Sequence, residues 1–376
     1  MNAQNIDNKP KVQKETKNKI RVEFERTDLK QRLKAKFLSL FFIKKVLWYI
    51  VRLILLIGIS YIVLLPFFTK IAGSIMAPED FVDVTVRLIP KNFSLDIYKA
   101  IWTEQQYVKA FTSTLMLSLT TALIQTLICC VIAYGLAKFK FKGNKYVFML
   151  VVFTLVVPHQ TLQFSMFSNF RYFDILGIIQ FLNGGGWEIF GIKVLETSAD
   201  IIPDTASWVK LFPDGLAMNL TNTFWPLIIL SVGGLAFKNG LYIFMLRQFF
   251  RGVPDELEES AYIDGSGVFR TFATIILPLS IPMMITVFLF AFSWQWTDNF
   301  YTTLFFTTSN KNIVLMPQII KTIPKSLDID YAGKNLYEAA IYNTGGLMII
   351  APLIVMYLFC QKYLVQGIER SGLTAD

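Results

Sequence analysis

The chain has 376 residues, 54% of them hydrophobic and 17% charged, with a net charge of +9 and a mean hydropathy of +0.48. A soluble domain carries roughly 25% charged residues, so long apolar blocks between short charged ones exclude an ordinary soluble globule and point to a polytopic membrane protein. Lys and Arg crowd into the first 45 residues and the short loops between apolar blocks, which fits the basic bias of cytoplasmic loops better than nucleic-acid binding.

Residues 1–45 read as a basic cytoplasmic tail able to touch anionic lipid heads, and they lack the short apolar run of a cleavable signal. Residues 46–365 then hold six predicted membrane helices: Val46–Ile71, Val108–Ala137, Tyr146–Met166, Phe224–Leu246, Ile275–Phe292 and Ile341–Tyr363. Each approaches the about 20 apolar residues needed to cross a hydrocarbon layer. The fifth holds Pro278 and Pro282 and should bend. Trp48 and Tyr49 suit the membrane interface.

The loop Lys138–Lys145 and the pair Arg247 and Arg251 are basic and should lie inside, so both termini are expected in the cytoplasm of a multi-pass cell-membrane protein. The 167–223 loop, with Gly184-Gly185-Gly186, should be an ordered external elaboration. Cys129, Cys130 and Cys360 show no disulfide or metal spacing and read as small apolar residues in helices. A single histidine, His159, leaves no metal cluster or Ser–His pair.

Residues 248–274 are different in kind. Pro254-Asp255-Glu256-Leu257-Glu258-Glu259 is an acidic stretch that cannot face lipid and so offers a surface to a soluble partner. Pro254 fits the first turn of a helix, and Asp255 and Glu256 suit its positive end. Leu257 and Ala261 share a face, Gly265 ends the helix, and Ser266 caps a second one leading into the membrane. An ordinary amphipathic loop helix would read the same way.

Glu259-Ser260-Ala261, Gly265, Ile275, Leu277 and Pro278 fall in the register of the cytoplasmic "EAA" loop, and the chain resembles the permease subunits of binding-protein-dependent ABC importers. Ser260 replaces the first Ala of that pattern. Ala133–Gly143, Trp296–Phe300 and Gln361–Gly367 are similar to motifs of the carbohydrate-uptake branch, so the resemblance covers about residues 105–370. It implies an all-α permease of the type I importer architecture and a non-catalytic subunit. The implied partners are a second permease, a pair of ATPase chains docking on the EAA helix, an extracellular solute-binding protein and a carbohydrate substrate. Glu258, Glu259, Ser260, Ala261, Asp264 and Gly265 would form the docking turn, Leu277 and Pro278 the start of helix five, and Gly367 a tail (residues 366–376) near the ATPase.

A phosphate loop is absent from the sequence, Ala332-Gly333-Lys334-Asn335 being the nearest trace. No cofactor is therefore expected in this chain; ATP and Mg belong to the partner. Lys238, Gln125, Gln163, Trp294, Trp296 and Asn299 are candidates to line a solute pathway. Against this, Lys238 can reach the interface from within its helix, and aromatics at such depth also serve as interface anchors. Gly233, Gly234 and Gly240 suggest close helix approach, such as to a partner permease. Two other readings stay open: the same architecture moving a polyamine or organophosphate, and a membrane receptor or enzyme without transport.

Overall fold

The computed structural model describes residues 40–173, 187–189, 192–195, 219–236, 238–306 and 313–370. The expected N-terminal tail up to residue 39, most of the 167–223 loop and the end of the C-terminal tail lie outside them. The structure forms two compact units that divide between Phe67 and Phe68.

The described part of the first unit is one helix, α1 (Leu40–Ser74), whose last turns belong to the second. Apart from Arg52 and Ser60, its side chains from Leu47 to Phe68 are apolar, and almost all of the segment is exposed. A helix that is hydrophobic all round is at home in lipid or against other membrane helices.

The second unit is built around α3 (Tyr107–Lys138). After α2 (Asp96–Glu104), this long helix packs on α6 (Trp225–Val232), α7 (Asn239–Gly252) and α10 (Leu277–Trp296). Small side chains make the approach close: Ala110, Ser118, Ala122, Cys129 and Ala133 are all fully buried. In lipid such association rests on packing and interhelical bonds, because the bilayer removes the usual hydrophobic drive. The last helix, α13 (Lys334–Arg370), closes the core against α10 and carries Gly367. Cys129 and Cys130 are buried thiols, as expected of small apolar residues.

Two predicted spans are not simple helices. The third is α4 (Asn144–Val156) and α5 (Gln163–Arg171), bent by 92° at a short break. Pro158 forces it, since proline disfavours helical φ/ψ at the preceding Val157, which is extended at φ −68°, ψ 118°. The fourth is α6 and α7, separated by a turn in which Gly234 and Lys238 both take φ +69°. Lys238 is thus the left-handed residue before α7, not part of a helix interior.

Among the described residues four helices are long and apolar enough to cross a membrane, or five if the bent pair counts as one span. By length and composition the described residues thus account for four or five of the six expected spans. The fifth begins earlier than predicted, at α9 (Val268–Thr271), and passes through a π-helical turn (Phe272–Ile276) into α10. The all-α expectation also needs one amendment. In the long loop, β1 (Trp187–Ile189) and β2 (Ile192–Leu195) pair as an antiparallel hairpin.

Candidate functional site

The acidic stretch forms a short helix, α8 (Glu256–Ile263). Pro254 lies outside it, holding Val253 extended at ψ 124° so that the chain leaves α7 sharply. Asp255 is the N-cap, and its carbonyl accepts the N–H groups of Glu258 and Glu259 at 3.0 Å. Glu256, Glu258 and Glu259 fill the first turn, favoured by the helix dipole. At the other end Ser266 N–H bonds to Ala261 C=O at 2.9 Å and Gly265 N–H to Tyr262 C=O at 3.0 Å. That pair is a Schellman ending, and Gly265 supplies its left-handed residue at φ +80°. Ser266 therefore spends its N–H on α8, and Gly267 is the N-cap of α9.

The buried stripe of α8 is Glu258 and Ala261, three apart, while Leu257 is exposed. This corrects the expected pairing of Leu257 with Ala261, and it removes Glu258 and Ala261 from the outer surface. The cause is a set of bonds to the end of α3. Tyr134 Oη donates to Glu258 Oε1 at 2.7 Å. Lys138 Nζ donates to Val253 C=O at 2.7 Å and to Asp255 Oδ1 at 2.6 Å, and stands 3.8 Å from Glu258 Oε2. The Lys138 and Glu258 side chains are only 6% and 9% exposed, so Lys138 relies on Asp255, Glu258 and the Val253 carbonyl, and Glu258 on Lys138 and the Tyr134 hydroxyl. The Lys138 ammonium also holds the Asp255 carboxyl below its usual range.

Nearby, Arg247 Nε donates to Leu136 C=O at 3.2 Å, and its guanidinium lies 3.8 Å from the Phe148 ring centre. Asn144 Nδ2 donates to Phe139 C=O at 2.8 Å. Of the basic residues assigned to one membrane face, Lys138 bonds to α8 and its N-cap, and Arg247 bonds to the end of α3. What remains exposed on α8 is Glu256, Leu257, Glu259, Ser260, Tyr262 and Ile263, followed by Asp264 and Gly265; Ile263 is 86% exposed.

The pathway candidates separate. Gln125 is buried and donates to Ser231 Oγ at 3.3 Å, beside a cavity of about 10 Å3 that Trp294, Tyr242 and Asp298 also border. Lys238 Nζ sits 4.7 Å above the Trp294 ring, a cation–π contact. Those three share one region. Gln163, at the start of α5, and Asn299, before α11 (Phe300–Phe305), are exposed. Trp296 is enclosed at 1% exposure and lies apart from the Gln125 cavity. Gly240 approaches α4 of the same chain: a Cβ there would lie 2.5 Å from Thr154 Oγ1 and 2.9 Å from Val151 C=O. The glycine signal is thus met inside the chain. Leu277 and Pro278 are the first residues of α10, inside the fifth span rather than at its start. Among the described residues no group of His, Cys, Asp and Glu is placed to hold a metal.

Residues 125–370 match the family described as binding-protein-dependent transport system inner membrane component. The chain belongs to this family. The permease is similar to the maltodextrin transport system permease protein MalD of Streptococcus pneumoniae (strain ATCC BAA-255 / R6), at 26% identity over 84% of this chain and 92% of that one. It is also similar to the galactooligosaccharides transport system permease protein GanQ of Bacillus subtilis (strain 168), at 27% identity over 77% and 83%. Its fold resembles that of a bacterial ABC transporter involved in the import of the acidic polysaccharide alginate, with a TM-score of 0.58 and 17% identity over 85% of this chain and 97% of that chain. The permease is therefore a multi-pass membrane component of a solute transport system.

In the sequence Tyr134 stands out only within the Ala133–Gly143 motif, and Lys138 only within that motif and as the first residue of a basic cytoplasmic loop; neither motif nor loop marks the bonds to α8. One signal was available: Lys138 ends a long apolar span, and a cation there needs an acidic or carbonyl partner close by.

Proposed function

We propose that this chain is the permease subunit of an ATP-driven importer and forms, with a second permease, the pathway for a carbohydrate or oligosaccharide. The carbohydrate reading is supported by the maltodextrin and galactooligosaccharide relatives. ATP is hydrolysed by separate ATPase chains that dock on α8 from the cytoplasm, and an extracellular binding protein delivers the solute. Both termini are cytoplasmic, in keeping with the basic loop that starts at Lys138, which bonds to the N-cap of α8. The docking surface is Leu257, Glu259, Ser260, Tyr262, Ile263, Asp264 and Gly265, with Gly367 near the ATPase; Glu258 and Ala261 support it from behind.

The observation that carries this reading is the two-sided construction of α8. Its inner face is fixed to α3, and its outer face presents Ile263 and Leu257 among carboxylates. A large apolar side chain left in water suits a partner that covers it. When the ATPase chains close, α8 is displaced and the bundle exchanges inward for outward access, which requires the partner to bind the two states unequally. Copurification tests this. The wild-type permease should bring the ATPase chains with it, and Ile263→Asp should lose them while still inserting in the membrane. Retention of the ATPase by Ile263→Asp together with Leu257→Asp would refute docking on this face. Uptake of labelled maltodextrin, competed by other oligosaccharides and not by a polyamine, would support the solute class.

A further inference from the structure

We infer that Tyr134 and Lys138 are positioning residues for energy coupling, acting as a brace that makes α8 and the end of α3 move as one body. The inference rests on the reading of α8 as the ATPase-docking helix. Three polar bonds cross from α3 to α8 and the turn before it, two of them from the Lys138 ammonium and one to the Glu258 carboxylate. Charge-assisted bonds are short and strong, and the Tyr134–Glu258 bond is buried while that of Lys138 to the Val253 carbonyl is partly buried; the bond to Asp255 is open to solvent. The connection from α8 onward to α10 is softer. It runs through Gly265 and Gly267, where a Cβ would meet nothing within 4 Å, and then through the π-helical turn Phe272–Ile276. A displacement of α8 therefore passes first into α3, which packs on α6, α7 and α10. Tyr134 gathers the contacts: its ring lies 4.6 Å from that of Phe272 and 5.6 Å from that of Phe250.

The test uses the whole transport complex in proteoliposomes. Spin labels are placed at two exposed sites outside the docking surface, Glu256→Cys on α8 and Lys140→Cys just past α3, and their separation is read without nucleotide and after trapping with ATP and vanadate. In the wild-type background one unchanged distance is expected in both states. Lys138→Met should broaden or lengthen the trapped-state distance. It should also lower the stimulation of ATP hydrolysis by the binding protein at least about fivefold, the low end of ordinary coupling between sites, with the ATPase chains still copurifying. Lys138→Arg should restore both. Tyr134→Phe keeps the ring packing and removes only the bond to Glu258, so it carries the test if Lys138→Met fails to insert; a smaller change in the same direction is expected. The inference is overturned if both variants keep the wild-type distance and stimulation, or if the wild-type distance itself changes between states. A wild-type permease that purifies without ATPase chains overturns the docking reading, and this inference with it.

Discussion

The indole N–H of Trp296 on α10 donates to the carbonyl of Ile349 on α13 at 2.8 Å. The ring is flanked by Phe111 at 5.4 Å and Phe292 at 5.6 Å. It is a peg between helices, so its loss should cost stability and leave solute preference alone. Trp296→Ala should destabilise by about 3–5 kcal/mol and lower the melting temperature in detergent. Trp296→Phe, which keeps an aromatic ring, should cost about 1 kcal/mol for the bond. A changed ranking of solutes in uptake competition, with melting unchanged, would speak for a pathway role instead.

Gly240 sits where α7 meets α4, with Thr154 Oγ1 and the Val151 carbonyl in the space of a Cβ. Gly240→Ala must push α4 away, at about 1–3 kcal/mol for overpacking. The carbonyl is backbone and cannot rotate aside. Thermal unfolding of the purified protein should show the loss, and pairing with Thr154→Ala should recover only part of it. Wild-type melting of the single variant would mean that α4 and α7 stand farther apart.

At Gly265 the situation reverses. A side chain would meet nothing within 4 Å, but φ is +80°. The cost is backbone strain of about 1–2 kcal/mol for most residues. Gly265→Val should fray the end of α8 and reduce solute uptake while the protein still inserts. Gly265→Asn, which tolerates the left-handed region, should keep most activity. Equal uptake by the two variants, measured in membrane vesicles, would remove backbone conformation as the cause.

Asp298, just beyond α10, has its carboxyl pushed up to about 6 by burial, despite accepting the Thr302 N–H at 3.1 Å. A raised value in the folded state means that folding favours the protonated form. Its contribution to stability is full below the ordinary carboxylate value near 3.8 and is lost as pH rises through about 6. Melting of wild type and Asp298→Asn should coincide near the acid end, and the variant should gain an advantage as pH rises to neutrality. A variant that melts lower than wild type at neutral pH would show that the ionised carboxylate is the favoured form.

Hydropathy was enough to find the apolar blocks, and the run Pro254 to Gly265 was enough to find α8 and its ending, because proline, acidic first turns and glycine endings act locally. Two kinds of feature escaped. Hydropathy counts side chains and is blind to φ, so Gly233, Gly234 and Lys238 were read inside a helix that the backbone breaks there. Burial is the second. Glu258 and Glu259 are adjacent and chemically alike, yet one faces Tyr134 and the other is exposed, a choice made by a residue 124 positions away. Trp296 is a case of the same kind, since an aromatic near the end of a span gives no sign of whether rings from other helices enclose it.

The π-helical turn at Phe272–Ile276 gives the fifth span one residue more than a regular α-helix would use. Removing a single residue within that turn would let it tighten to the ordinary winding, and everything from Leu277 onward would keep its present facing. The same deletion one turn later would have no such slack and would rotate the rest of α10 by about 100°, carrying Met283 and Val287 out of the centre of the molecule. The chain thus holds a tolerated length change and an intolerable one within a few positions of each other.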